Sequence, residues 1–466
     1  MNQILHTDSY KTSHFNQFPS NATRVSSYIE PRGGKFDNVV VFGLQAFIKQ
    51  YLLTPIDLAD ILEAGEVCAL HGVPFNLAGW RRILDVHGGF LPIEISAMPE
   101  GTVMGVHNAV VQVVNTDPEL PWLTSYIETA LLRAVWYPST VATLSRKMKG
   151  HIYEALKLTS DDPDGQLPFK LHDFGARGAT SAESAMLGGM GHLVNFMGTD
   201  TLEAVVGMRR YYNTPMAAFS IPATEHSTMT SWGRERESEA YHNLLCMYPT
   251  GLVSCVIDSY DTMNAVTNIF GGGLYERVLA RDGVLVLRPD SGNPTTMVLD
   301  VIDRAMEAFG FTLNSKGFRV LNPKVRAIQG DGMDEVSIPQ LLANAYERGI
   351  SVDNFAMGMG GGLLQKVDRD TMKWAMKANA IEIDGVWHDV FKDPITDQVK
   401  RSKRGRQAVV KNYNAGTHAT TFETINLENM LKAGLDPRCN QLRPVYRDGE
   451  LLIDEDLATI RERAKL

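Results

Sequence analysis

Between residues 168 and 365 the chain sets chemically capable side chains at regular intervals, each just after a short apolar run. "FKLHDFGARG" carries Asp173, Phe174 and Arg177; "LVNFMGTD" ends in Asp200; "AAFSIPATEH" ends in Glu225 and His226. "LVSCVIDS" holds Asp258, "VLVLRPDSGN" holds Arg288 and Asp290, and "VRAIQGDG" holds Asp331. "VDNFAMGMGGG" ends in Gly358, Gly360, Gly361 and Gly362. Brought together, these residues suit a phosphorylated substrate with a divalent metal. Backbone N–H groups of a glycine-rich turn bind phosphate, arginine grips phosphate oxygens in a fork, and carboxylates hold Mg²⁺ alongside substrate phosphates. Taken singly, each has a plainer use: an Asp after a strand caps the next helix, and a glycine run makes a tight turn. The chain has no G-x-x-x-x-G-K-[ST] phosphate loop, no H-E-x-x-H zinc motif and no G-x-S-x-G nucleophile elbow.

The elements that must position these residues follow a repeated grammar. A short apolar run, a polar or glycine-rich turn and a helix-like stretch recur in seven consecutive units from "FKLHDF" to "GMGGGLLQKVDRD". That alternation predicts parallel strands with crossover helices. The expected fold is α/β, with an irregular (β/α) barrel, in which every loop after a strand opens on one face; an open doubly wound sheet is the alternative. Thr199 or Asp200 is expected to cap the second helix, and Asn293-Pro294 to open another. Residues 1–150 mix strand and helix signals, and the part beyond about 380 is strand-like with many turns. The expected organisation is a barrel over 151–384 and an α+β domain built from 1–150 with 385–466.

The 466 residues carry a formal charge of −9, which argues against a nucleic-acid binder working by bulk electrostatics. No apolar stretch approaches the ~20 residues that cross a bilayer, and the start "MNQILHTDSYKTSHF" has no signal-peptide pattern. The four cysteines fit neither a zinc site nor a disulfide framework. A cytoplasmic protein with reduced thiols is expected.

The segments "TDSYKTSHFNQFP", "HDFGARG", "NFMGTDT", "IPATEHST", "IDSYD", "RPDSGNP", "IQGDGMD", "GMGGGLLQKVDRD" and "FKDPITDQVKRSKRGR" occur in order from Asp8 to Arg406. Together they resemble the nicotinamide phosphoribosyltransferase family. The resemblance implies a type II phosphoribosyltransferase fold and a homodimer with shared active sites. It implies transfer from 5-phosphoribosyl 1-pyrophosphate to nicotinamide, with Mg²⁺ as cofactor and ATP as co-substrate through a phosphohistidine. His226 matches the phosphorylated histidine and Asp258 the carboxylate that orients it. Phe174 and Tyr10 match the aromatic pair around the pyridine ring, Tyr10 coming from the partner subunit. Asp200 matches the acceptor for the carboxamide, and Arg177, Ser254 and Arg288 match residues lining the nicotinamide site.

By the same resemblance, Arg288, Asp290 and Asp331 lie around ribose and phosphates, with Asp290 also serving the metal. Gly330, Gly360 and Gly361 match the cradle for the 5′-phosphate. Arg32, Arg369, Lys377 and Lys392 match the cluster for pyrophosphate and ATP, with Lys400 and the basic run "KRSKRGR" beside them. Two positions depart from the pattern of vertebrate members: Ala176 stands for a tyrosine and Ala375 for a serine. Both changes imply tuning of activity. The competing readings are a nicotinate-specific enzyme, a non-catalytic nucleotide binder and a barrel hydrolase for sugar phosphates.

Overall fold

The computed structural model describes residues 2–393, 402–416 and 419–466. The chain divides into two units, each taken by itself. One comprises Leu144–Val206 and Pro215–Val367; the other comprises the residues up to Thr143, Gly207–Thr214 and Asp368–Lys465.

The first unit contains a six-stranded parallel sheet in the order Gly198–Thr199, Leu171–Asp173, Phe355–Met359, Val325–Gln329, Asp282–Arg288, Thr250–Val256. Its two edge strands are both bridged by the extended segment 217–224. Phe219 pairs with Gly198 and Ala223 with Ser254, both in the parallel sense. The ring therefore has seven members, one for each unit of the sequence grammar, and the barrel is irregular because one member makes only isolated bridges. Side chains such as Leu171, Val253, Leu287, Ala327 and Met357 are buried; removing such apolar surface from water is what holds a fold of this kind together.

Helices follow the strands with local starting signals. Ser181 caps Ala182–Leu193 through a capping box with Ser184. The next helix, Leu202–Tyr211, differs from expectation. The Thr199 hydroxyl accepts the Thr201 N–H, and the Asp200 carboxylate is instead engaged by Ser220. Pro294 sits in a turn whose Asn293 carbonyl accepts the Met297 N–H, and the regular helix runs over Met297–Phe309.

In the other unit, a seven-stranded antiparallel sheet interleaves both ends of the chain. Ala22–Glu30 lies between Ala375–Ile383 and Val111–Asn115, and Ile93–Ala97 lies between Val111–Asn115 and Arg443–Arg447. This corrects the expected boundary at 384/385. The strand Ala375–Ile383 is a ladder partner of Ala22–Glu30, so the chain enters this unit at Asp368. The hairpin Gln407–Asn414 with Ala419–Asn426 belongs here too. The helix Glu128–Thr159 contains Pro138, and the division between units falls within it. Among the described residues no helix is long and apolar enough to cross a membrane.

Candidate active site

His226 is the first residue of the short helix His226–Thr230, entered from extended backbone at Glu225 (φ −121°, ψ 170°). Glu225 serves its own turn. Its N–H donates to Thr228 Oγ1 at 3.3 Å, and its carboxylate accepts the Ser227 hydroxyl. His226 is left to face the next two strand ends. Its Nε2 lies 3.1 Å from Asp258 Oδ1 and its Nδ1 lies 3.9 Å from Asp290 Oδ2. The Asp258 side chain is 5% exposed and that of His226 is 45% exposed. The carboxylate is thus a buried support, and the imidazole keeps an open edge.

Phe174 follows the strand Leu171–Asp173, and its N–H donates to Met359 O at 3.1 Å. The ring rests on bare backbone: a Cβ added at Gly358 would lie 2.0 Å from Phe174 Cε2, and one at Gly330 would lie 3.2 Å from the same atom. Asp290 Oδ1 is 3.9 Å from that Gly330 position. Phe174, Gly330, Asp290, His226 and Asp258 therefore form one contiguous surface.

Asp200 and Ser220 are both exposed, and Ser220 Oγ donates to Asp200 Oδ1 at 2.5 Å. Arg288 donates to the Thr224 carbonyl at 3.0 Å while its Nε is buried without a partner. Ser254 is buried, and its Oγ is likewise unpartnered. Arg177 is exposed on the turn Ala176–Gly178, and Asp331 is exposed after its strand. Gly360 and Gly361 form the turn into the helical segment Gly361–Leu364.

Asp173 stands apart from the other turn residues. It is fully buried and accepts the Gly175 N–H at 2.8 Å and the Thr199 hydroxyl at 3.2 Å. Burial, partly offset by these hydrogen bonds, holds its carboxyl above the usual range. It braces the turn that carries Phe174 and is not offered to a ligand.

The remaining candidates lie in the antiparallel unit. Tyr10 is 61% exposed on the segment Ser9–Asn16, its ring edge-on to His14 with centroids 5.2 Å apart. Arg32 donates its backbone N–H to Met372 O at 3.0 Å, Arg369 reaches Asp370 at 3.0 Å, and Lys377 Nζ donates to Met376 O at 2.8 Å. Burial lowers the Lys377 ammonium; Glu128 opposes that shift, and Arg32, Lys11 and Arg369 reinforce it. Lys11, absent from the sequence candidates, is therefore part of the same cationic cluster and pairs with Glu128 at 2.6 Å.

Lys392 is exposed, with its N–H on Ser402 Oγ, and Lys400 lies outside the described residues. The described part of the basic run is engaged locally. Lys403 pairs with Glu30 at 3.1 Å, Arg404 with Asp393 at 3.5 Å and Arg406 with Glu428 at 2.6 Å.

Residues 169–449 match the model of the nicotinate phosphoribosyltransferase (NAPRTase) family, and residues 2–95 match that of the nicotinamide phosphoribosyltransferase N-terminal domain. A nicotinamide phosphoribosyltransferase from Xanthomonas campestris pv. campestris is 48% identical, over 99% of this chain and 98% of its own length. The chain belongs to the nicotinamide phosphoribosyltransferase family. A second member, from Mycoplasma pneumoniae, is 33% identical over 87% of this chain and 95% of its own. The crystal structure of human nicotinic acid phosphoribosyltransferase shares the fold, with a TM-score of 0.57 at 14% identity over 98% of this chain and 92% of that one. The protein is a phosphoribosyltransferase of type II fold.

Three residues at the barrel mouth of this family member escaped the sequence reading. Ser220 and Thr224 lie in the segment "SIPAT", where nothing local marks a hydroxyl as a partner for Asp200 or a carbonyl as a partner for Arg288. Gln329 donates to Asp331 O at 2.9 Å, and its buried Oε1 is unpartnered. A glutamine ending an apolar run reads as the exposed end of a strand, and only the closed ring buries it.

Proposed function

We propose that this chain transfers the phosphoribosyl group of 5-phosphoribosyl 1-pyrophosphate to nicotinamide in NAD biosynthesis, releasing pyrophosphate, and that ATP drives the reaction through a phosphorylated His226. The observation that carries the choice of base is Asp200, an accessible carboxylate at the barrel mouth. It accepts N–H groups, as a carboxamide requires. Nicotinate would set a second carboxylate against it, and like charges so placed cost on the order of several kcal/mol. The names of the two relatives support the same base.

In this reading the pyridine ring stacks on Phe174, with Tyr10 of a second copy on its other face. The ring nitrogen forms its bond to the anomeric carbon as the bond to the pyrophosphate oxygen breaks, and pyrophosphate leaves with the electron pair. Alignment of the two reactants supplies much of the acceleration. Arg177, Ser254 and Arg288 line the base, and Asp331, Gly330, Gly360 and Gly361 receive ribose and 5′-phosphate. Arg32, Arg369, Lys377, Lys392 and Lys400 are assigned to pyrophosphate and the ATP phosphates.

The Asp258 carboxylate can only accept a proton, so it selects the tautomer with hydrogen on Nε2. Nδ1 then carries the lone pair that attacks the γ-phosphorus, and ADP leaves with the electrons of the broken P–O bond. No group of three or more His, Cys, Asp or Glu among the described residues is placed to hold a metal. The chain offers single carboxylates, Asp290 foremost, which suits an ion bound chiefly through substrate phosphates. Mg²⁺ held there by Asp290 and the substrate would neutralise charge on the departing phosphates. The four cysteines are free, in keeping with a reducing, cytoplasmic setting.

The test offers purified protein 5-phosphoribosyl 1-pyrophosphate and Mg²⁺ with nicotinamide or nicotinate, each with and without ATP. Mononucleotide from nicotinamide alone, stimulated by ATP, is expected, with acid-labile phosphate on His226. Product from nicotinate instead would overturn the role of Asp200. Undiminished ATP stimulation in His226→Ala would overturn the phosphohistidine.

A further inference from the structure

The geometry points to Ser220 as a second specificity-determining residue, which with Asp200 forms a two-acceptor site for both hydrogens of a primary carboxamide. The inference deepens the nicotinamide reading and rests on it.

The two residues are brought together by backbone, not by chance rotamers. The Phe219 N–H donates to Met197 O at 2.8 Å, and the Thr199 N–H returns to Phe219 O at 3.2 Å. The Asp200 N–H is held by Asp173 O at 2.9 Å. This pairing sets Ser220 beside Asp200 on the exposed rim of the ring, where its hydroxyl reaches Oδ1.

A hydroxyl has one proton to give and two lone pairs with which to accept. An ionised carboxylate accepts only, and it is the stronger acceptor available. The Ser220 proton is therefore committed to Asp200. What the pair presents to a ligand is acceptor only: Oδ2 of Asp200 and the free lone pair of Ser220 Oγ. A primary amide brings two N–H donors about 120° apart and satisfies both. A carboxylate brings none. A serine alone would not discriminate, because its hydroxyl would turn and donate to nicotinate; the neighbouring carboxylate locks it as an acceptor. A secondary amide brings one N–H, leaves one acceptor unmatched and pushes a methyl group against it.

The test is equilibrium binding by titration calorimetry, which does not require turnover. The probes are nicotinamide, N-methylnicotinamide and nicotinate, offered to the full-length protein and to Ser220→Ala and Ser220→Thr. The parent is expected to bind nicotinamide at least tenfold more tightly than N-methylnicotinamide. Ser220→Ala should weaken nicotinamide roughly three- to tenfold, leave N-methylnicotinamide almost unaffected and so collapse the ratio, while Ser220→Thr restores it. If both amides weaken together in Ser220→Ala, Ser220 only supports the fold and the inference fails. If the parent does not separate the two amides, the two-acceptor site is wrong. Binding of nicotinamide without turnover would sink the proposed reaction alone, and tighter binding of nicotinate would sink both.

Discussion

Phe174 can lie across two strand ends only because those ends carry no side chains. The space at Gly358 is already filled by the ring, so the glycine is required by close approach rather than by a left-handed backbone. Gly358→Ala must drive the ring off its seat. Stacking of a base on an aromatic ring is worth ~1–3 kcal/mol, so the KM for nicotinamide is expected to rise about tenfold or more, measured by initial rates at saturating co-substrate. An unchanged KM would show that Phe174 is not the stacking platform. His226 is placed with the same economy. Asp258, the carboxylate the resemblance pairs with it, lies against one nitrogen, and Glu225 is engaged by its own turn.

Among the elements, the strand Leu171–Asp173 has only three residues, yet it carries the turn with Phe174 and Arg177. It is anchored at its start by Lys170, whose buried Nζ donates to the carbonyls of Val352, Asp353 and Phe355 at 2.8, 3.3 and 3.0 Å. Burial, with a smaller contribution from Arg326 and against the pull of Asp353, pushes the Lys170 ammonium down to about 7. Lys170→Met leaves three carbonyls without that donor and is expected to cost about 2–4 kcal/mol, read as a lower Tm by calorimetry. The pH dependence has a definite sign. The folded pKa lies below the unfolded one, so this lysine's contribution rises as pH climbs from about 7 towards 10.5. The variant should lose that rise; a parallel profile would place the ammonium in water instead.

On the scale of the whole molecule, the antiparallel unit carries a buried ion of opposite behaviour. Glu100 accepts the Gln45 N–H at 2.8 Å, but burial pushes its carboxyl up to about 7, against the help of its hydrogen bonds. A raised folded pKa means stability that is present below the unfolded value of 4.5 and lost as pH rises to about 7. The loss is on the order of 3 kcal/mol. Glu100→Gln should flatten the decline in Tm between pH 5 and pH 8 and raise the Tm at pH 8 by several degrees. An undiminished decline would mean that another group titrates there.

The seven βα units were legible in the chain because their signals are local: an apolar run, a turn residue, a cap. So was the convergence of the turn side chains, since a parallel barrel sends every such turn to one face. His226, Asp258, Asp290 and Phe174 meet for that reason. Tertiary structure decided what depends on distant partners. Asp173 looked like its neighbours in sequence and is buried as a brace. Asp200 was a plausible helix cap until Ser220, twenty residues on, proved to be its partner. The strand Ala375–Ile383 read as the tail of the barrel region, yet its ladder partner is Ala22–Glu30, more than three hundred residues earlier. The basic run with Lys403, Arg404 and Arg406 is set beside the phosphate cluster by resemblance alone; in the fold each of these three pairs with its own carboxylate. A residue type and its neighbours set which roles are open to it. Which role is taken depends on the group across the fold, and pairing over such separations leaves no local trace.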